Sequence, residues 1–252
     1  MRRSGFLGYR YNRHSQFGED GIIEEICRRL GINEGWFAEF GAWDGKHFSN
    51  TYNLLANKGW RGVMIECDPE KYKALLKTKA SFPDRLHTLC AMVGFQGDSR
   101  LDCLLAKTPV PRNLDLLSID IDSYDWQVWS ALVEYEPRIV VIESNSLIPP
   151  GIHQVHNPPV SVGASFTALV ELGKSKGYQI VCHTANCFFI RNELVPCLHL
   201  EPELLASPER LFNYPRHYRE RLIEVGRRLL PEHFMHFLFG LSQRLKAARR
   251  GG

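Results

Sequence analysis

Residues 36–68 read WFAEFGAWDGKHFSNTYNLLANKGWRGVMIECD, and this stretch decides the fold. Its apolar start predicts a strand, which a tight turn with Gly41 and Gly45 follows. A helical segment then leads to a second strand that includes residues 62–65 and ends at Glu66. A strand, a turn, a helix and a strand in this order predict a parallel βαβ unit.

The turn and the strand-terminal Glu66 form the pattern of a nucleoside site, because a carboxylate there accepts two hydrogen bonds from a ribose diol. The dinucleotide fingerprint G-x-G-x-x-G is not met, since Trp43 stands where the second glycine would let a pyrophosphate approach. Glu39 would repel a pyrophosphate but attract a sulfonium or an α-amino group. The pattern therefore favours S-adenosylmethionine over NAD. The alternative is an ordinary βαβ turn whose glycines serve geometry alone.

Composition excludes several classes of protein. The chain has 252 residues, of which 23% are charged and 44% hydrophobic, which suits one α/β domain. The net charge of +3 is too small to indicate a nucleic-acid partner. Seven cysteines without a C-x-x-C pair indicate small buried side chains in a reducing compartment, so we expect a cytoplasmic protein without a zinc site. No signal peptide or membrane-spanning run is recognised.

Strands and helices alternate along the chain, which predicts a doubly wound, Rossmann-like sheet of seven mostly parallel strands with helices on both faces. Residues 146–163 hold four prolines and form a connection long enough to be a lid or a binding loop. The predicted helices lie at 21–30, 69–80, 101–107, 125–135 and 164–176, and the further strands at 86–93, 114–120, 138–143, 178–183 and 187–191.

Polar side chains follow two neighbouring strands. Asp120 and Asp122 end the fourth strand, and Glu143 and Asn145 end the fifth, so we expect them to share one crevice. Such a cluster would bind magnesium or calcium, or one carboxylate would act as a general base. The simpler alternative is that Asp120 binds cofactor, Asp122 caps the next helix and Glu143 pairs with a nearby cation. His47 follows the glycine turn, where it would line the cleft.

Several motifs together resemble class I S-adenosylmethionine-dependent methyltransferases, specifically FkbM-like ones. The resemblance covers residues 15–195. The motifs that carry it are SQFGEDG at 15–21, EFGAWDG at 39–45, IE at 65–66, SIDID at 118–122, VIESN at 141–145, GASF at 163–166 and NCFFIR at 186–191.

The resemblance implies methyl transfer to an oxygen, with Glu39, Gly41 and Gly45 at the methionine part of the cofactor and Glu66 at its ribose. Asp-x-Asp-x-Tyr at 120–124 also resembles macrocin-type sugar O-methyltransferases, which use magnesium. Those carry a paired acidic residue where this chain has Glu-Ser-Asn. The predicted cofactor-binding set is Gln16, Glu39, Gly41, Ala42, Gly45, Glu66, Cys67, Met92 and Asp120; the catalytic set is Asp120, Asp122, Glu143 and His47; and the metal set is Asp122, Glu143 and Asn145.

We therefore predict an S-adenosylmethionine-dependent O-methyltransferase whose partner is a small-molecule or glycan acceptor. The alternatives are an inactive cofactor- or glycan-binding protein of the same fold and a nucleotide-sugar-modifying NAD enzyme. Residues 1–14 are predicted as a loose arm, residues 15–200 as the catalytic domain and residues 201–252 as a helical, basic extension. We expect this extension to dock on the domain; a homo-oligomer contact or a peripheral membrane contact are its alternatives.

Overall fold

A computed structural model describes residues 5–121 and 123–213. Its centre is one seven-stranded sheet with the order β3-β2-β1-β4-β5-β7-β6. The first five strands are parallel, and β7 runs antiparallel between β5 and β6. This architecture confirms the predicted doubly wound, mostly parallel sheet. The strands are β1 Trp36–Phe40, β2 Arg61–Glu66, β3 Leu86–Cys90, β4 Leu116–Ile119, β5 Ile139–Glu143, β6 Tyr178–His183 and β7 Asn186–Arg191.

Helices cover both faces of the sheet. One apolar layer contains residues of the first three helices, and the other contains residues of the next three. Along β1 the side chains alternate between these layers, so that Phe37 packs in the first and Ala38 in the second. The helices are α1 Glu19–Leu30, α2 Tyr52–Asn57, α3 Pro69–Ala80, α4 Leu101–Leu105, α5 Asp125–Ala131, α6 Phe166–Ser175 and α7 Pro202–Ala206.

Helix α5 is shorter than the predicted 125–135 and ends at Ala131. The reason is Asp102, whose carboxylate accepts the backbone N–H of Val133 at 3.1 Å and of Glu134 at 2.9 Å. These two N–H groups are thereby withdrawn from the helical ladder. Helix α3 and strand β6 occupy the predicted ranges, whereas β3 and β4 each end before the residue at which their apolar patterns stop.

The chain before α1, which the sequence predicts as a loose arm, makes specific contacts within residues 5–15. Phe6 is buried, and the guanidinium of Arg29 lies 4.8 Å from the centre of its ring. One oxygen of Asp20 accepts the backbone N–H groups of residues 13–15 at 2.7–2.9 Å. Backbone amides that converge on a buried carboxylate fix this segment against the start of α1.

Residues 146–163 form the expected long loop between β5 and α6 without regular secondary structure. No helix in the two described ranges is long and apolar enough to cross a membrane. Most of the predicted C-terminal extension, from residue 214 onward, lies outside the described residues, so its docking stays a prediction.

Candidate functional site

The carboxyl ends of β1, β2 and β4 form the candidate site. Phe40 pairs with Ile65 of β2 on one side and with Ile119 of β4 on the other. The chain order of the strands reverses between β1 and β4, and open α/β sheets bind ligands at such a point because the following loops diverge. The turn after β1 begins at this point with Gly41.

Protein neighbours alone require both glycines of the turn. Gly41 has φ +74°, and a Cβ there would lie 1.9 Å from the backbone oxygen of Asp120. Gly45 has φ +75°, and its Cβ would lie 2.7 Å from Leu75. Any side chain at either position would clash and be strained. A ligand contact at these glycines therefore stays a prediction, while their structural necessity is established.

Glu39 of β1 is buried and organises the chain before α2. Its carboxylate accepts the hydroxyls of Ser49 and Thr51, each at 2.6 Å, and the backbone N–H of Asn50 at 3.0 Å. Burial raises the pKa of Glu39, and the three hydrogen bonds oppose that rise. The carboxylate thus lies at the N-terminal end of α2, which begins at Tyr52.

Glu66 ends β2 and holds the glycine turn. Its Oε2 accepts the backbone N–H of Trp43 at 2.7 Å, and its Oε1 accepts that of Asp68 at 2.8 Å. The residue is only 4% exposed. A carboxylate has about four acceptor positions, and the thiol of Cys67 also bonds this carboxylate, so one position remains for a ribose hydroxyl.

Two aromatic residues of this turn have unusual backbones. Trp43 has φ 48° and Phe48 has φ 60°, a region that favours glycine. Their side chains are 44% and 55% exposed, and their rings lie 6.4 Å apart. Strain of this kind concentrates at functional sites. The ammonium of Lys71 on α3 lies 5.7 Å from the Trp43 ring, which places a cation over that indole.

Asp44 and His47 form a pair inside the same turn. Oδ2 of Asp44 lies 2.6 Å from Nδ1 of His47, while Oδ1 accepts the backbone N–H groups of Lys46 and His47, each at 2.9 Å. Burial would raise the pKa of Asp44, but these backbone bonds and the imidazole outweigh burial, so the pKa is lowered. The His47 side chain is 70% exposed. This pair was not recognised in the sequence, although the D-x-x-H spacing within a turn could have indicated it.

The ends of β4 and β5 are adjacent, since Ile119 pairs with Ile142. Asp120 and Glu143 are half-buried, as expected for neighbours at this edge. Asn145 is engaged in its own loop, where Nδ2 donates to the oxygen of Val162 at 3.0 Å and Oδ1 accepts from Leu147. Asp122 lies outside the described residues. Among the residues that the structure does describe, no group of three His, Cys, Asp or Glu side chains is arranged to hold a metal ion.

Of the remaining predicted cofactor residues, three follow the ends of β1, β2 and β3, and Gln16 precedes α1. Met92 follows β3 with 73% of its surface exposed, and Cys67 follows β2 and is also exposed. Burial, and then the carboxylate of Glu66, raise the pKa of the Cys67 thiol. Ala42 is buried and donates its N–H to Ile65 at 3.2 Å, so it acts in the turn itself. Gln16 is exposed just before α1.

Sequence reasoning also missed the Ser49-Asn50-Thr51 segment. Besides its bonds to Glu39, Nδ2 of Asn50 donates to Ser118 of β4 at 3.2 Å, so the segment joins β1 to β4. Short polar residues before a helix are a recognised capping pattern. That pattern could have indicated the segment, but not the buried carboxylate it would bind.

No protein-family model matches the sequence, and no curated protein is similar to it. Among solved structures, the chain is similar to TrmK of M. capricolum in complex with S-adenosyl-homocysteine, at 14% identity over 89% of this chain and 95% of that one, with a TM-score of 0.45. It is also similar to S-adenosylmethionine-dependent methyltransferases from Aquifex aeolicus (13% identity, 69% of this chain and 88% of that one, TM-score 0.42) and Clostridium acetobutylicum (11%, 69% and 90%, 0.42). Likeness at this level concerns the fold alone. The FkbM-like branch stays a prediction.

Proposed function

We propose that this protein is an S-adenosylmethionine-dependent methyltransferase that methylates a hydroxyl of a sugar, a glycan or a glycosylated natural product. The proposal depends on which nucleoside cofactor the strand-end crevice would accept and on what lies beside it.

The position of Glu39 favours S-adenosylmethionine over a dinucleotide cofactor. In a dinucleotide-binding fold the pyrophosphate lies at the N-terminus of the helix that follows the first glycine turn. Here that helix, α2, begins only at Tyr52, and the carboxylate of Glu39 already accepts the N–H of Asn50 at 3.0 Å. A pyrophosphate would meet a carboxylate there. The cationic sulfonium of S-adenosylmethionine avoids this repulsion.

The edge strands also differ from a dinucleotide fold. The common dinucleotide-binding order is 3-2-1-4-5-6, whereas this sheet inserts an antiparallel β7 between β5 and β6. Two further residues suit S-adenosylmethionine. Glu66 keeps an acceptor position for a ribose hydroxyl, and the exposed Met92 offers an apolar contact for a base. Bound there, the cofactor would supply an electrophilic methyl group.

The loop after β5 supports a neutral acceptor. From Ser144 to Val170 the chain has no Asp, Glu, Lys or Arg, although charged residues make up 23% of the protein. An acidic acceptor such as a nucleic acid would be expected to meet lysines or arginines. The exposed rings of Trp43 and Phe48 at the turn offer flat apolar faces that suit a sugar ring.

Isothermal titration calorimetry with S-adenosylmethionine, S-adenosylhomocysteine and NAD tests the cofactor. We expect the first two to bind and NAD not to bind. Transfer of a labelled methyl group from S-adenosylmethionine to a panel of methyl glycosides, followed by mass spectrometry, tests the acceptor. Cofactor binding without transfer to any hydroxyl would favour the inactive binding protein, and binding of NAD alone would refute the proposal.

A further inference from the structure

We propose that Asp44 and His47 form a catalytic dyad in which Nε2 of His47 removes the proton of the acceptor hydroxyl. This inference rests on the proposed function and assigns its proton acceptor. The sequence analysis instead predicts a carboxylate at the end of β4 or β5 as the general base.

The dyad has a defined protonation pattern. The lowered pKa of Asp44 keeps its carboxylate ionised, so that it can only accept hydrogen bonds. The short contact of 2.6 Å to Nδ1 of His47 therefore has the imidazole as its donor. In the neutral ring the other nitrogen, Nε2, then carries a lone pair. An orienting carboxylate of this kind also stabilises the imidazolium that forms when Nε2 takes up a proton.

The carboxylate is itself fixed, which holds the imidazole in place. Oδ1 of Asp44 accepts two backbone N–H groups, and its backbone oxygen accepts the hydroxyl of Thr78 on α3 at 2.6 Å. The Asp44 side chain is 18% exposed, against 70% for His47. An anchored carboxylate with an accessible imidazole is the arrangement that a general base requires.

The turn places this dyad over the strand ends. On one side of it, Trp43 donates its N–H to Glu66 at the end of β2. On the other side, Ser49 donates its hydroxyl to Glu39 of β1. The segment between these two anchors carries both Asp44 and His47, so the dyad lies beside the crevice in which the cofactor is proposed to bind.

Other histidines in the described part of the chain lack this combination. His183 is fully buried, and Nδ1 of His156 accepts the N–H of Gly163 at 3.1 Å. Nδ1 of His153 lies 2.7 Å from the carboxylate of Glu171 on α6, but the Glu171 side chain is 60% exposed. His153 therefore supplies a matched control for a surface imidazole with a carboxylate neighbour.

The proposed reaction transfers one methyl group and one proton. The acceptor oxygen forms a bond to the methyl carbon of S-adenosylmethionine, and the carbon–sulfur bond breaks with its electron pair passing to sulfur, which loses its positive charge. The hydroxyl proton passes to Nε2 of His47. The resulting imidazolium is paired with the carboxylate of Asp44 and later returns the proton to water.

Three charged groups lie near His47. Asp44 faces the ring directly. Lys46 belongs to the same turn, but its ammonium lies 5.7 Å from the Tyr52 ring. From α3, the ammonium of Lys71 lies over Trp43, whose ring centre is 5.9 Å from that of His47.

The test combines kinetics and binding in the full-length protein. We would measure kcat and kcat/KM for S-adenosylhomocysteine formation with methyl glycosides from pH 5 to 9. The proteins compared are wild type, His47→Gln, Asp44→Asn and His153→Gln. His47→Gln should lower kcat at least 100-fold and remove the fall in rate on the acidic side, while cofactor affinity stays within twofold of wild type. Asp44→Asn should lower kcat about tenfold or more. His153→Gln should keep the acidic fall.

A second variant gives a readout that a structural role would not move. In His47→Ala, added imidazole should restore part of the turnover in proportion to its unprotonated fraction, because the wild-type side chain is exposed. Nitrogen NMR of wild type should show the Nδ1–H form of His47 even without an acceptor. Unchanged kcat in His47→Gln, or an Nε2–H form in wild type, would overturn the dyad. Absence of cofactor binding by wild type would instead refute the proposed function.

Discussion

The backbone N–H of Trp43 donates to Oε2 of Glu66 at 2.7 Å, which joins the glycine turn after β1 to the end of β2. The residue proposed to bind the ribose therefore also sets the shape of the turn. Cofactor binding and the conformation of Trp43 are expected to be coupled, because both depend on one carboxylate.

Glu66→Ala tests this double role. We expect the variant to weaken S-adenosylmethionine binding by about 1.5–3 kcal/mol, since charge-assisted hydrogen bonds to the ribose are lost. We also expect a loss of about 1–3 kcal/mol in the free energy of unfolding, because two backbone N–H groups lose their acceptor. Calorimetry and chemical denaturation measure the two quantities.

The matched control is Glu70→Ala on α3, an exposed carboxylate whose partner is Lys73 at 2.7 Å. It should leave both quantities within experimental error, since exposed ion pairs contribute little. An unchanged cofactor affinity in Glu66→Ala would show that the ribose is bound elsewhere, even if stability falls.

Gly41→Ala tests the packing of the turn on β4. Its Cβ would lie 1.9 Å from the backbone oxygen of Asp120, so the turn must move away from β4. The control is Gly31→Ala, which has a similar φ of +69° but no neighbour within 4 Å of the added Cβ. The control should lose about 1 kcal/mol of stability from backbone strain alone, and Gly41→Ala should lose at least 2 kcal/mol more, in the range of overpacked positions. Equal losses in denaturant titrations would contradict the clash.

The sequence predicted the sheet well because parallel strands have a local signature. Residues 139–142 are a buried apolar run, and residues 116–119 are buried and apolar except for Ser118, as a strand covered on both faces requires. Gly41 and Gly45 were correctly predicted in the turn because both have a positive φ, which few residues other than glycine adopt.

The contacts inside the site were beyond sequence reasoning because they join distant residues. The bonds from residues 49–51 to the carboxylate of Glu39 join the two ends of the turn, and the sequence does not indicate them; the contact of Glu39 with the cofactor stays a prediction. The role of Asp44 depends on a turn in which Trp43 and Phe48 adopt positive φ, and nothing in local propensity indicates that conformation. Both the bonds of Glu39 and the conformation of the turn around Asp44 depend on tertiary structure, which local sequence does not encode.

The proposed dyad predicts how methyl transfer by this protein would respond to chelation. If His47 removes the proton, turnover should survive exhaustive treatment with EDTA, and added magnesium should leave it unchanged. Loss of turnover that magnesium or manganese restores would instead support the carboxylate cluster of Asp122, Glu143 and Asn145. In that case Asp122→Ala and Glu143→Ala should abolish turnover while they still bind S-adenosylmethionine, a combination that calorimetry and the methyl-transfer assay distinguish.

The last prediction concerns His183, which packs between aromatic rings next to β5. Its ring lies 4.7 Å from that of Phe212 with an angle of 12° between the planes, and its Nδ1 accepts the N–H of Asn213. Nε2 therefore carries the proton and lies 2.9 Å from the hydroxyl of Ser144. Burial lowers the pKa of His183 from 6.5 to about 3. The ring of His183 is therefore neutral in the folded protein at neutral pH.

The consequence for stability follows from proton linkage. Between pH 6.5 and about 3 the unfolded chain binds a proton at His183 that the folded protein does not, so stability falls as the pH falls through this window. The slope is at most about 1.4 kcal/mol per pH unit for one group. His183→Gln should be less stable than wild type at pH 7, because the ring packing is lost, but its stability should fall less steeply toward pH 5. Urea titrations of both proteins at pH 7, 6 and 5, with the exposed His199→Gln as control, measure the difference. A constant difference between wild type and His183→Gln across these pH values would show that the folded and unfolded states bind protons equally at His183, so that folding does not lower its pKa.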